Sequence, residues 1–316
     1  MGKILAAALA LAVAGGAAAS CGTAFCMVNT SWNVQGVWTE PGARFDLRFE
    51  YIDQDQPMAG RRKVGVGAIR QHHDEVRTLN RNWIGTFDYT FNQDWGVSAT
   101  LPVLDRDHVH IHNHQGAQIR DHWNFTEAGD LRVLGRRQWR AENVEAQRLD
   151  FFGATFGLKL PTGKDDVRSA DNLLAERSLQ PGSGTTDVLA GGYFRRMLGS
   201  GASWFADALV QAPLDMKDGY RPGARTSLDL GYRIEATDKL GLMLQLNLLH
   251  RRRDRGSEAE PQNSGGNFAY LSPGASYVLT EKLQAYGFLQ LPLYQYVNGV
   301  QLTADWAAVA GLSTRF

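Results

Sequence analysis

The sequence predicts an all-β fold, a transmembrane antiparallel β-barrel of about 12 strands with both termini periplasmic. Three observations carry this expectation. They are a secretory leader, a period-two apolar pattern that recurs to the last residue, and connections that alternate between short and long.

The leader comes first in the chain. Met1-Gly2-Lys3 is a short basic start, and Ile4 to Gly16 is an apolar run rich in Ala and Leu. Ala17-Ala18-Ala19-Ser20 then offers the small residues at which a signal peptidase cuts. Residues 1–20 are thus expected to be a signal peptide, and 21–41 a periplasmic N-terminal segment. That segment holds Trp32 and Trp38 and is a candidate plug for the lumen. It opens with the two cysteines of the chain, Cys21 and Cys26. In an oxidising compartment they most simply close a small disulfide loop. A lipid anchor on Cys21 is the other reading, although Ala18 stands where a large aliphatic residue is usual.

The barrel itself is expected over 42–316. Phe45, Leu47, Phe49 and Tyr51 alternate with Arg44, Asp46, Arg48 and Glu50, so an extended chain puts an apolar row on one face and charges on the other. The same alternation returns in Trp83 to Phe91, Trp95 to Val103, Trp204 to Val210, Leu228 to Ile234, Leu242 to Leu248 and Trp306 to Phe316. Twelve strands are expected, at about 42–52, 78–91, 95–104, 129–140, 149–160, 185–196, 203–212, 223–235, 241–250, 266–279, 283–292 and 302–316. Short polar links such as Ala236-Thr-Asp-Lys239 alternate with longer charged ones, among them 53–77, 104–128 and 161–184. A soluble β-sandwich also alternates, but the charges of both signs in mid-strand suit a watery lumen, and the aromatics near strand ends suit the two membrane interfaces.

Composition excludes other classes. Lys plus Arg and Asp plus Glu each number 33 and the pI is near 7.1, which gives no basic surface for nucleic acid. Beyond the leader no apolar run reaches the roughly 18 residues of a spanning helix. An outer-membrane lipase needs a nucleophile beside a histidine base. Nothing joins Ser227 or Ser276 to His250 and an acidic or amide partner, so no enzyme is expected.

Several phrases resemble a known family. Phe156-Gly-Leu-Lys-Leu-Pro-Thr-Gly163, then a long loop, then Pro181-Gly-Ser-Gly-Thr-Thr-Asp187 is similar to a recurrent stretch in the outer-membrane transporters of the MetA pathway of phenol degradation. Trp95-Gly-Val-Ser-Ala-Thr-Leu-Pro102, Thr126-Glu-Ala-Gly-Asp-Leu-Arg132 and Leu289-Gln-Leu-Pro-Leu293 also look like strand-end phrases of that family. The resemblance runs from about 80 to 316 and implies a transporter barrel, with a hydrophobic or aromatic solute as its cargo. Phe316, after alternating apolar residues, is similar to the signal read by outer-membrane assembly machinery.

Two sets of residues are candidate sites. His108-Val-His110-Ile-His112-Asn-His114 places four imidazoles on one face if extended, and His72 and His73 lie in the preceding long loop. Neutral imidazole ligates Cu²⁺, Zn²⁺ or Ni²⁺, so a divalent transition metal ion is the candidate cofactor; a solvated extracellular loop is the alternative. Asp46, Arg48, Glu50, Asp88, Asp229 and Arg233 are candidate lumen residues, either a constriction that orients a solute or ion pairs that fill a narrow barrel. The expected function is an outer-membrane channel or transporter for a small solute. A metal-binding or surface-interaction barrel with little conductance is the competing reading. Expected partners are outer-membrane lipid, lipopolysaccharide, the assembly machinery and the solute.

Overall fold

The computed structural model describes Val28 and residues 41–69, 73–114, 117–145, 147–199 and 201–316. The leader, Cys21, Cys26, Trp32, Trp38 and His72 lie outside the described residues, as does the side chain of His114.

Sixteen strands follow in order. They begin with β1 (Gly42–Gln54), β2 (Gln56–Ala59), β3 (Arg62–Lys63), β4 (His73–Thr90), β5 (Trp95–His114) and β6 (Ala117–Ala128). Next come β7 (Leu131–Asn143), β8 (Arg148–Leu160), β9 (Asp187–Leu198), β10 (Ala202–Pro213) and β11 (Arg225–Glu235). The last are β12 (Leu240–Arg251), β13 (Gly266–Val278), β14 (Leu283–Val297), β15 (Val300–Thr303) and β16 (Ala307–Arg315). Neighbours pair antiparallel, and the ring closes because β1 pairs with both β4 and β16 while β4 also pairs with β5. β6 and β7 stack end to end along β5, the first beside Val103–His114 and the second beside Trp95–Thr100. They form one stave, so the wall is a closed barrel of 12 strands.

The short turns share one rim, and three of them share one chemistry. Asn92 Oδ1 accepts from the backbone of Asp94 and Trp95, both at 2.9 Å. Thr237 and Thr280 offer their hydroxyls in the same way to the residues two and three positions on. The Phe316 backbone N–H donates to Ala43 at 3.0 Å, which ties the last residue to the first strand at this rim.

The outer face is apolar. Phe45, Leu47, Leu101, Leu242, Leu244 and Leu312 are exposed on it. Tyr89, Trp95, Trp139, Trp204, Tyr232 and Tyr277 form an exposed aromatic girdle near the short-turn rim. A second band contains Phe49 against Trp83 at 4.8 Å and Tyr51 stacked on Trp306 at 5.5 Å. The inner face takes the alternate residues, and small ones make room for rings. A Cβ on Gly153 would meet the Tyr193 ring at 2.0 Å, and one on Gly311 the Tyr286 ring at 2.3 Å.

Three stretches differ from expectation, the first being 53–77, expected as a loop, where β2 and β3 form and β4 already begins at His73. Residues 104–128, expected as a loop, continue as strand: β5 and β6 pair to the hairpin tip and rise well past the second aromatic band. Their polar composition mimics a loop, but the period of two persists with Val109 and Ile111 opposite the histidines. The expected strand 302–316 is two elements; β15 leaves the wall to join β2 and β3 in a small sheet at the long-loop rim.

The register gives a direct check. Leu246→Arg, on the outer face of β12 near mid-strand, is expected to cost about 2–4 kcal/mol in refolding into liposomes. Gln245→Asn, one residue away on the inner face, keeps an amide for Asn247 and is expected to cost about 1 kcal/mol or less. A reversed order would show the opposite facing.

Candidate functional site

All six lumen candidates point inward, but they form two groups. On the β1–β4 wall Arg44 pairs with Asp88 at 2.6 Å, Arg48 pairs with Glu50 at 2.9 Å, and Tyr286 donates to Asp46 at 2.9 Å. On β11 Arg233 reaches Glu235 at 2.8 Å, and Asp229 accepts from Asn247 at 2.8 Å. The structure does not gather these six into one constellation. Val28, the described residue of the N-terminal segment, is buried inside the barrel and its N–H donates to Glu50 at 3.1 Å.

Two cavities lie along the lumen. One of about 210 Å³ sits at the short-turn rim, among Arg44, Asp88, Thr90 and Arg136. The other, of about 190 Å³, lies toward the long loops and is lined by Arg106, Arg132, Lys159, Arg177, Arg225 and Arg251 against the acids Asp130 and Asp187. Strands β12–β16 add an apolar cluster to the lumen, with Met243, Leu249, Phe268, Tyr270, Phe288 and Val309 buried together between inward polar residues such as Gln245, Asn247, Ser272 and Gln290. The basic lining was not among the sequence candidates, because its residues are scattered over five strands and a loop.

Three of the phrases that carry the family resemblance, around Asp130, Lys159 and Ser183, meet at one edge of the upper cavity. Lys159 donates to Asp130 at 2.8 Å and lies 3.3 Å from Asp187. Lys159 also contacts the Ser183 hydroxyl, and Ser183 in turn donates to Asp130 at 2.9 Å. The glycines allow the three chain segments to touch. A Cβ on Gly163 would come within 2.7 Å of both Gly129 and Gly182, and one on Gly182 would meet the Gly163 carbonyl at 2.4 Å. The signature therefore pins the long loop 161–186 into the barrel mouth.

That loop carries a further residue inward. Val167, Ala175 and Leu179 pack on Trp123 and Phe125 of β6, and Gln180 ties the loop to itself through Val167 and Ala175. Glu176 then lies beside the histidines, with Oε1 3.5 Å from His110 Nδ1. A bulge at Val76 does the same for β4. Thr78 faces His108, but beyond the extra residue Glu75 faces His110 and His73 faces His112. Without it Val76 would point inward in place of Glu75. His108 and His110 are almost wholly buried, and their rings pack on Trp123 at 5.8 and 4.8 Å. His73 joins through ring contacts with His110 and His112, and His112 is partly exposed with Nδ1 3.9 Å from Asp121. Glu75 and Glu176 were not foreseen from sequence; a bulge and a folded loop bring them in.

The cluster lies beyond the apolar belt. Burial, with the charges of Glu260 and Asp74 behind it, raises Glu75 well above the usual carboxylate range. Burial and then Glu75 and Glu260 do the same to Glu176. Burial, followed by His110 and Arg106, lowers His108 well below an ordinary imidazole.

No family model and no curated protein matches the sequence. Among solved structures, the COG4313 outer membrane channel from Pseudomonas putida F1 is similar, with 13% identity, 89% of this chain and 97% of that chain covered, and a TM-score of 0.66. The P. putida toluene transporter TodX gives 9% identity, 87% and 90% coverage and a TM-score of 0.44. The NanC porin gives 9%, 86% and 100%, and 0.45. The first likeness shows the fold. The closed wall with its apolar outer belt places the chain in the bacterial outer membrane.

Lys159→Met would leave Asp130 and Asp187 facing each other without their shared cation. It is expected to lower stability by about 3–5 kcal/mol, with the loss read as a lower temperature for the heat-dependent gel shift of the folded barrel. Proteolysis within 161–186 should rise in parallel. Unchanged values would mean that the network does not hold the loop.

Proposed function

We propose that the barrel passes a small solute across the outer membrane, and that this solute carries an anionic group on an apolar or aromatic body. The upper lumen cavity carries this reading. Six basic side chains line it against Asp130 and Asp187, with Arg177 and Arg251 also reaching Asp165 and Asp254. This basic excess makes a field that attracts anions, while the apolar cluster of β12–β16 suits the remainder of the solute. Resemblance to the MetA-pathway transporters supports an aromatic body. Membrane lipid and lipopolysaccharide would meet the outer face, and exposed Phe316 at its rim would be the residue read by the assembly machinery.

One observation favours the competing reading of a barrel with little conductance. Val28 occupies the lumen beside Glu50, as a plug formed by 21–41 would require. Planar-bilayer recording of the mature protein, with and without 21–41, separates the two. Stepwise, anion-selective conductance in a salt gradient is expected, with selectivity reduced in Arg132→Ser. Conductance that appears only after truncation would support the plug. Silence in both forms would overturn the passage of solute.

Deleting Phe316 tests the assembly role. Export to the periplasm should persist while heat-modifiable barrel falls sharply; equal assembly would remove Phe316 from that role.

A further inference from the structure

The geometry points to a divalent transition-metal site formed by Glu75, His108, His110 and Glu176, with His73 at its edge, above the membrane belt. Two triads have their ligand atoms within 4.8 Å of one another, Glu75 with His108 and His110, and His73 with His110 and Glu176. They share His110.

The separations suit a metal. Glu75 Oε2 lies 3.4 Å from His108 Nε2, which lies 3.4 Å from His110 Nδ1, and that atom is 3.5 Å from Glu176 Oε1. Ligands about 2.0–2.1 Å from a tetrahedral ion stand about 3.3–3.4 Å apart. Three successive edges thus have the length such an ion needs.

The far side of each ring is held as metal-binding imidazoles are held. His108 Nδ1 is 2.8 Å from the Thr78 hydroxyl, and His110 Nε2 is 3.3 Å from Asp121 Oδ2. With the ring protons on those outer nitrogens, His108 Nε2 and His110 Nδ1 direct lone pairs to the shared centre. Two carboxylates with two neutral imidazoles match the charge of a divalent ion. Among the described residues no Lys or Arg forms an ion pair with Glu75 or Glu176. Two imidazole nitrogens beside two carboxylates select Zn²⁺, Cu²⁺ or Ni²⁺ over Ca²⁺ or Mg²⁺, which take oxygen ligands. His122 faces the other side of the hairpin, exposed and paired with Asp107 at 3.1 Å.

The test uses refolded mature protein stripped with chelator, then titrated calorimetrically with Zn²⁺ and separately with Cu²⁺. One equivalent is expected to bind. His110→Asn and Glu75→Gln should each weaken it by about 10–100-fold, while His122→Asn leaves it unchanged. The heat-dependent gel shift reports whether each variant is folded. If His110→Asn fails to fold, Glu176→Gln, altered only in the loop, should show the same loss. Co²⁺ loading should give the intense visible bands of four-coordinate N/O ligation, absent from the ligand variants. No stoichiometric uptake of either metal, or equal affinity in folded ligand variants, would overturn the site. Conductance is measured separately, so neither result depends on the solute reading.

Discussion

Closure of the backbone hydrogen-bond ring is the constraint on which everything else depends. In hydrocarbon an unpaired peptide group costs several kcal/mol, so a sheet that crosses a membrane cannot keep an edge. Here the last strand meets the first through a register running from Arg44↔Arg315 to Ile52↔Ala307. With the ring closed, period-two alternation assigns every wall residue either to lipid or to the lumen. A one-residue slip at this seam would turn Arg44, Asp46, Arg48 and Glu50 outward into lipid.

The lumen then has to be filled. A barrel of eight strands is packed by its own side chains and one of sixteen leaves an aqueous channel, so twelve lies between. This chain fills part of the space with rings laid over glycines, and part with charges paired across neighbouring strands. The two fillings are not mixed evenly. The buried aromatics and aliphatics are concentrated on β12 to β16, where they alternate with amides and serines, while arginines and Lys159 from β5 to β12 line the upper cavity. A lumen that concentrates apolar side chains in one region and basic ones in another offers an amphipathic anion two kinds of contact, which a uniformly polar pore does not.

Much of the barrel was legible because the alternation is long and regular. Twelve staves, their order and the inward facing of Asp46, Arg48, Glu50, Asp88, Asp229 and Arg233 follow from the period alone. Legibility failed where polar residues took the inward positions of a strand and, at Asp105 and Asp107, the outward ones too. The His108–His112 stretch looked like a loop because its inward residues are histidines that a folded loop later buries. It failed again at Val76, since a bulge changes the parity of a strand without leaving a residue-type signal. The Gly and Pro phrases were visible as a signature, but their role needed three dimensions: Gly129, Gly163 and Gly182 are distant in sequence and touch in space.

The long loop 161–186 joins the two halves of the molecule's chemistry. Its ends are anchored at the Asp130–Lys159–Asp187 network that edges the cavity, and its middle delivers Glu176 to the histidines. Arg106 bridges the same regions. It donates to Asn80 at 2.8 Å and to the Leu179 carbonyl at 2.5 Å, lines the cavity, and stands two residues from His108 on β5. Docking the loop is therefore one event seen from two places. By linkage, anything that binds only the docked loop at the histidines also favours the docked form at the cavity, to the same extent in free energy. The physical connection is short and specific: one strand, one loop and one buried guanidinium between them.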